Sequence, residues 1–280
     1  MAAGEGDWAA KNSHFAGRKK KTHRELSRGR QTKEVMTVQD SYYVRQVQAQ
    51  HFGSAQQKRL EASSVLILGL GGVGSAAALY LASAGISRVG LVDSGRVKES
   101  NLHRQILYTP GDLGQSKPRA AKEELTRRRP DLQCLPYAID VENQLQEIDQ
   151  SYDLLLDCLD NVQPRLAAAS FAYEKELISI SGGAKDWEGF LLVSNSKKTA
   201  CFACLYGGLY RNKEPYPSPG IMGACAGMVG TLQAAFSMRC LTEENPFPRG
   251  KFLSLDVRRG QAQEIALDKN PSCPVCGQLR

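Results

Sequence analysis

Three observations predict a Rossmann-like, doubly wound, mainly parallel α/β sheet. Val65-Leu66-Ile67-Leu68 runs directly into the glycine-rich turn Gly69-Leu70-Gly71-Gly72-Val73-Gly74. Nineteen residues past Gly74, a second apolar run, Val89-Gly90-Leu91-Val92, ends at Asp93. Beyond it, short apolar runs alternate with helix-forming stretches joined by brief connections. A strand that returns parallel to its predecessor needs a crossover helix, so the alternation implies a parallel sheet covered on both faces.

Residues 40–62 read as one helix, with Val44, Val47, Phe52 and Leu60 as scattered apolar positions. After the strand at 65–68, residues 75–84 are rich in Ala and Leu and close at Gly85, a C-cap residue. Residues 89–93 form the second strand. The run 117–129 favours helix and stops before Pro130. Further short strands are expected at 132–138 and 154–159, a helix at 166–173, and a buried strand at 177–180 ending in Gly182-Gly183. Past residue 184 the texture changes. Residues 189–194 and 252–257 suit later, antiparallel strands, and 220–240 suits a helix of small residues made for close packing. No internal repeat is visible.

The chain has 280 residues and a net charge of +7. Residues 1–34 hold nine Lys/Arg and four acids, a net +5, which leaves the other 246 residues at only +2. Two regions are therefore expected: a basic, disordered tail over 1–35 and a folded domain over 36–280. The cluster Arg18-Lys19-Lys20-Lys21 could meet an acidic partner, but a solvated tail is the simpler reading and nucleic acid is not expected. Met36 is also readable as an alternative start. No apolar run approaches the ~18 residues of a membrane span, and the N-terminus lacks a signal-peptide core, so a cytoplasmic protein is expected.

A strand, a glycine turn, a helix and a following acid make a nucleotide-binding βαβ unit. The turn lets backbone approach a phosphate, the helix N-terminus offers free N–H groups, and the acid accepts from a ribose hydroxyl. That unit alone does not separate an NAD-dependent oxidoreductase from an ATP-using enzyme. The next segments do: Asn101-Leu102-His103-Arg104-Gln105, Gly114-Gln115-Ser116-Lys117 and Asp157-Cys158-Leu159-Asp160-Asn161. Arg104 and Lys117 suit phosphate oxygens, one through a planar fork and one as a point charge. Asp160 is placed like a Mg²⁺ ligand, since that ion takes one or two carboxylates plus substrate phosphates. Hydride transfer needs none of this. A nucleotide-binding scaffold without turnover, recruiting partners through the tail, remains a third reading.

Two Cys-x-x-Cys pairs, Cys201/Cys204 and Cys273/Cys276, supply four thiolates, enough for a closed tetrahedral Zn²⁺ that staples the C-terminus to the body. One pair could instead be a redox dithiol, but the presence of both favours zinc. Cys134, Cys158, Cys225 and Cys240 lie in apolar or small-residue surroundings and read as buried filler. Cys225, near the start of the 220–240 helix, is the one whose thiol a helix N-terminus could acidify.

Taken together, Gly69-x-Gly71-Gly72-x-Gly74, Asp93, Asn101-x-x-Arg104-Gln105, Lys117 and Asp160-Asn161 resemble the MoeB/ThiF/HesA adenylyltransferases, prokaryotic relatives of ubiquitin-activating enzymes. Tyr43-Val44-Arg45-Gln46 followed by Phe52-Gly53 is similar to the family's N-terminal helix, so the resemblance spans residue 41 to the C-terminus. It implies that the glycines, Asp93, Asn101, Gln105 and Asn161 hold ATP, that Arg104 and Lys117 line its phosphates and that Asp160 engages Mg²⁺. It further implies a homodimer in which Arg45 enters the partner's site. The substrate implied is the C-terminal glycine of a ubiquitin-like or sulfur-carrier protein ending in Gly-Gly, adenylated with release of pyrophosphate. The family carries the same two cysteine pairs. Its partner tail would thread past the loop 185–188 with Trp187, a residue equally readable as core. Many members carry a reactive cysteine in the loop that is 207–219 here; this chain has none there, so either a separate protein delivers sulfur directly to the adenylate or the downstream step is a different one.

Overall fold

The central strand, β1 (Ser64–Leu68), is buried along its whole length. Alternate residues serve opposite faces: Val65 and Ile67 join one apolar cluster, Leu66 and Leu68 another. A strand covered on both sides has to be apolar throughout, which is why Val65-Leu66-Ile67-Leu68 shows no polar alternation. In this computed structural model residues 42–195, 197–206, 220–244 and 251–277 are described. The basic tail and the loop 207–219 lie outside them.

The described elements run α1 (Val44–Val47), α2 (Ser54–Glu61), β1, α3 (Gly72–Ala84), β2 (Arg88–Val92), α4 (Lys117–Arg128), β3 (Gln133–Tyr137), α5 (Val141–Gln144), β4 (Leu154–Asp157), α6 (Val162–Glu174), β5 (Ile178–Lys185), β6 (Glu188–Asn195), α7 (Phe202–Tyr206), α8 (Gly223–Thr242), β7 (Lys251–Asp256) and β8 (Gln261–Ala266). They form one sheet in the order β3-β2-β1-β4-β5-β6-β7-β8. β1 pairs in parallel with β2 and β4, β2 with β3 and β4 with β5. From β5 onward every pairing is antiparallel. The expected parallel core with an antiparallel extension is thus observed. The order reverses between β1 and β4, and α/β sheets collect ligands beyond the carboxyl ends of the strands at such a switch point.

One face carries α3, α8 and α4 over Val65, Ile67, Val89, Leu91, Leu154 and Leu156. The other carries α5 and α6, through Val141, Ala168, Phe171 and Ala172, over Leu66, Leu68, Val92 and Leu155. The small residues of α8 let it press onto α3: a Cβ on Gly230 would stand 2.1 Å from Val73 O. Gly85 caps α3 in the left-handed conformation, with φ of +108°. Among the described residues no helix is long and apolar enough to cross a membrane.

Several boundaries differ from the sequence reading. Residues 40–62 are not one helix: turns at 48–53 part α1 from α2, and Gly53 serves as the N-cap of α2. The helix expected from residue 75 begins at Gly72, and the one expected from 220 begins at Gly223. β4 ends at Asp157 rather than 159, and β5 runs on to Lys185 because β6 pairs with its full length. α5, α7 and β8 were not anticipated.

Candidate active site

The glycine turn is folded by close approach. Gly69 has φ of +87°, a left-handed conformation that costs glycine little. A Cβ there would lie 2.8 Å from Cys158 O, so the turn rests on the exit of β4. Gly74 is tighter, because its Cβ would fall 1.9 Å from Gly69 O. Only with hydrogen at position 74 can α3 start directly above the strand end. Its N-cap, Gly71, has no side chain to satisfy the first N–H groups, which leaves the positive helix end facing the switch point.

Asp93 closes one side of this turn. Its Oδ1 accepts from Gly95 N–H at 2.7 Å and its Oδ2 from Leu70 N–H at 2.8 Å. Lys117, the first residue of α4, donates from Nζ to the same Oδ2 at 3.4 Å. Tyr108 OH donates to Leu70 O at 3.0 Å. Burial, helped by the Asp93 charge, pushes the Tyr108 phenol up, so it stays a donor.

Arg104 and Gln105 close the other side. A Cβ at position 72 would lie 3.5 Å from Arg104 Cγ, and one at 71 would lie 3.8 Å from Gln105 Nε2. Arg104 Nη1 donates to Ser100 O at 2.8 Å and sits 2.8 Å from His103 Nε2. Asn101 Oδ1 accepts from Lys98 N–H at 3.2 Å and so shapes the turn that carries Arg104. Gln105 is buried, and its Oε1 has no hydrogen-bond partner among the described residues; the same holds for Ser75 Oγ on α3. A buried acceptor left open beside a phosphate-type turn fits a ligand that brings donors of its own, such as a nucleotide.

Asp160 and Asn161 follow β4, both exposed, with Asn161 Nδ2 donating to Asp160 Oδ1 at 2.9 Å. Asn161 is the N-cap of α6. Among the described residues the only group of three or more potential metal ligands is the four-cysteine cluster; Asp160 belongs to no such group, so Mg²⁺ held there would need substrate phosphates as further ligands.

Beneath this turn lies a polar layer that sequence reasoning missed. Arg165 Nη1 donates to Asp157 Oδ2 at 3.0 Å, both groups being buried. Gln233 Nε2 donates to Asp157 O at 3.0 Å and Ile180 O at 2.8 Å, and Cys158 Sγ donates to Gln233 Oε1 at 3.1 Å. The available signal was a lone arginine before Leu166-Ala167-Ala168-Ala169, and a lone glutamine inside the small-residue helix α8.

Arg45 is not gathered with these residues. It is exposed on α1, whose flanks are anchored at the far end of α3. Tyr43 OH accepts from Arg129 Nη1 at 2.8 Å, and Gln46 Nε2 donates to Ala84 O at 2.9 Å. Gly72 and Ala84 bound α3, and twelve helical steps separate them by about 18 Å.

The four cysteines do converge. Sγ separations are 3.9 Å for Cys201–Cys204, 3.7 Å for Cys201–Cys273 and 3.3 Å for Cys204–Cys276, and all four atoms lie within 4.8 Å. Bonds of about 2.3 Å to a tetrahedral zinc would set sulfurs about 3.8 Å apart. None of the eight cysteines is disulfide-bonded. Burial, with Cys204 alongside, pushes the Cys276 thiol up to about 12, the cost of charging it without a cation. The cluster can therefore hold zinc.

Cys225 and Trp187 each settle an alternative left open by the sequence, and Cys240 departs from expectation. Cys225 is buried, and burial followed by the Asp186 charge raises its thiol rather than acidifying it. Trp187 is not core: it is 38% exposed on the β5–β6 hairpin, where its carbonyl accepts from Val257 N–H at 3.0 Å. Cys240, expected to be buried, is only half-buried.

Fold and site together define a nucleotide-handling α/β enzyme equipped to grip phosphate. The ThiF family model matches residues 43–275. The chain belongs to that family and is an adenylyltransferase. It is 37% identical over 240 residues to the molybdopterin-synthase adenylyltransferase of Escherichia coli K12, covering 84% of this chain and 96% of that one. It is 35% identical over 266 residues to the adenylyltransferase and sulfurtransferase MOCS3 of Drosophila yakuba, covering 89% of this chain but only 56% of the fly protein. Among solved structures, E. coli MccB matches with a TM-score of 0.75 at 21% identity, over 85% of this chain and 73% of that one. The last likeness carries the fold alone.

Proposed function

We propose that the chain activates the C-terminal glycine of a small ubiquitin-like or sulfur-carrier protein ending in Gly-Gly. A carboxylate oxygen of that tail attacks the α-phosphorus of ATP. The bond from that phosphorus to the bridging oxygen breaks, an acyl-adenylate forms, and pyrophosphate leaves with the electron pair. No redox partner and no side-chain nucleophile are required. The observation that carries this reading is the convergence of Gly69, Gly71, Gly72 and Gly74 with Asp93, Lys117, Arg104 and Gln105 at the β1/β4 switch point. In a dry, preorganised site such donors stabilise charge growing on the phosphate oxygens.

In this reading Asp93 receives the ribose, Asn101, Gln105 and Asn161 complete the nucleotide cradle, and Arg104 and Lys117 neutralise the phosphates. Asp160 would hold Mg²⁺ together with the substrate phosphates, and that ion would supply further charge neutralisation. Cys201, Cys204, Cys273 and Cys276 would hold a structural Zn²⁺. The protein works as a cytoplasmic homodimer: Arg45, exposed on α1 at the far end of α3 in its own chain, serves the site of the other. Residues 36–280 are the catalytic domain and 1–35 a basic tail, and a separate protein delivers sulfur. The partner's tail would pass the exposed Trp187. Membership of a family of adenylyltransferases leaves the oxidoreductase reading without support.

The test is ATP–pyrophosphate exchange with and without small proteins ending in Gly-Gly. Exchange that depends on one of them is expected. ATP binding without exchange in the presence of any such protein would sink the proposal.

A further inference from the structure

Arg165 is the most heavily engaged side chain beneath the site, although attack on the α-phosphorus does not call on it directly. Besides its ion pair with Asp157, its Nη2 donates to Leu159 O and, at 2.8 Å, to Gly182 O. The guanidinium carbon lies over two rings, 5.2 Å from the centroid of Phe190 and 5.4 Å from that of Phe202. Leu159 directly precedes Asp160, while Gly182 lies on β5, four residues before the Asp186-Trp187 turn. One planar group therefore ties the Asp160–Asn161 turn to the neighbouring strand.

The surroundings are shaped for that approach. A Cβ at Gly183 would meet Arg165 Nη2 at 2.9 Å and Phe190 Cε1 at 2.6 Å. A Cβ at Gly182 would meet Gln233 Cδ at 2.8 Å. Neither polar side chain could reach its carbonyls past a larger residue. Stability alone does not call for an arginine here, because well-packed apolar residues commonly replace buried ion pairs at no loss. What the fork adds is two carbonyls held at defined angles, which lysine, a point charge on a flexible stem, cannot reproduce.

We propose that Arg165 is a positioning residue for acyl-adenylate formation: it holds the Asp160–Asn161 turn in register with Gly182, so the nucleotide side and the acceptor side of the site keep one geometry. The inference rests on the adenylation reading. Phe202, the residue after Cys201, covers the guanidinium, so the scaffold of the thiol cluster also seats the positioning group.

The test compares wild type with R165K and with F202L, which keeps the ion pair and all four thiols. Misplacement by an ångström costs about 100-fold in rate, so R165K is expected to lower the kcat of ATP–pyrophosphate exchange by about that factor, with the KM for ATP within roughly threefold. F202L is expected to act in the same direction by about fivefold, at unchanged metal content. Hydrogen exchange of the amides at 160–163 and 182–184 is expected to quicken about tenfold in R165K while β1 and α3 keep wild-type protection. Exchange by wild type that R165K and F202L both match overturns the inference alone. Loss of protection throughout β1 and α3 in both variants also overturns it, since Arg165 is then a folding residue. A wild-type chain that performs no exchange overturns the adenylation reading, and this inference with it.

Discussion

Asp93 Oδ2 and Lys117 Nζ lie 3.4 Å apart, and Leu70 N–H reaches the same oxygen at 2.8 Å. One carboxylate thus joins the end of β2, the glycine turn and the start of α4. The side chains are only 13% and 15% exposed, so Asp93 keeps the Lys117 charge compensated near the turn while no phosphate is bound. Removing a charge-stabilising donor of this kind costs about 100- to 1,000-fold in kcat. K117A should show that loss in pyrophosphate exchange with little change in the KM for ATP. D93N should instead raise that KM, by about tenfold for a charge-assisted hydrogen bond. The opposite split would reverse the roles given to the two residues.

Two glycines predict opposite stability effects. At Gly74 a methyl group would collide with Gly69 O at 1.9 Å, and backbone cannot yield as a flexible side chain can. G74A should lose at least about 3 kcal/mol, at or above the usual range for overpacking. Gly227, within α8, has nothing within 4 Å of its would-be Cβ. G227A should gain about 0.5–1 kcal/mol through helix propensity and a stiffer unfolded chain. Urea unfolding of both variants decides the matter, and similar midpoints would contradict it.

A metal in the thiol cluster would close a long loop, since Cys201 and Cys273 are 72 residues apart. Loop-closure entropy for such a span is worth about 4 kcal/mol, or roughly 10 °C in melting temperature for a domain of this size. Chelation, or C273S, should lower the melting temperature by about that much and free the C-terminal segment to proteolysis. C134S, in β3 and far in sequence from the cluster, should leave the metal in place. Elemental analysis finding no zinc in the purified chain would remove the premise.

What was legible in the sequence is what local chemistry dictates. The glycine turn, Asp93, Lys117 and the cysteine pairs each announce themselves within a few residues, because tight turns and thiolate ligands accept few substitutes. What was missed depends on distant partners. β8, Gln261–Ala266, is exposed at every position and carries no apolar alternation; pairing with β7 alone makes it a strand. The break between α1 and α2 places Tyr43 on Arg129 and Gln46 on Ala84, contacts invisible to periodicity. Arg165 and Gln233 read as helix surface or filler until the fold brings them to the carbonyls of β4 and β5.

Cys225 offers the sharpest test of whether any thiol could act covalently near the site. It lies in the first turn of α8, where the helix end alone would favour a thiolate. Burial outweighs that, and the nearby Asp186 carboxylate adds to it, so its thiol titrates above the ordinary 9.0. At pH 8 the group is therefore protonated, and since thiolate is the reactive form, iodoacetamide should label Cys225 far more slowly than a free thiol. Asp186 holds φ of +53°, a conformation that asparagine also tolerates, so D186N should fold normally. Without the like charge, the thiol should titrate lower and label faster at pH 8, but only modestly, because burial is the larger cause. Mass spectrometry of labelled peptides measures both effects. Rapid stoichiometric labelling of Cys225 in the wild type would overturn this account and reopen a covalent step at that residue.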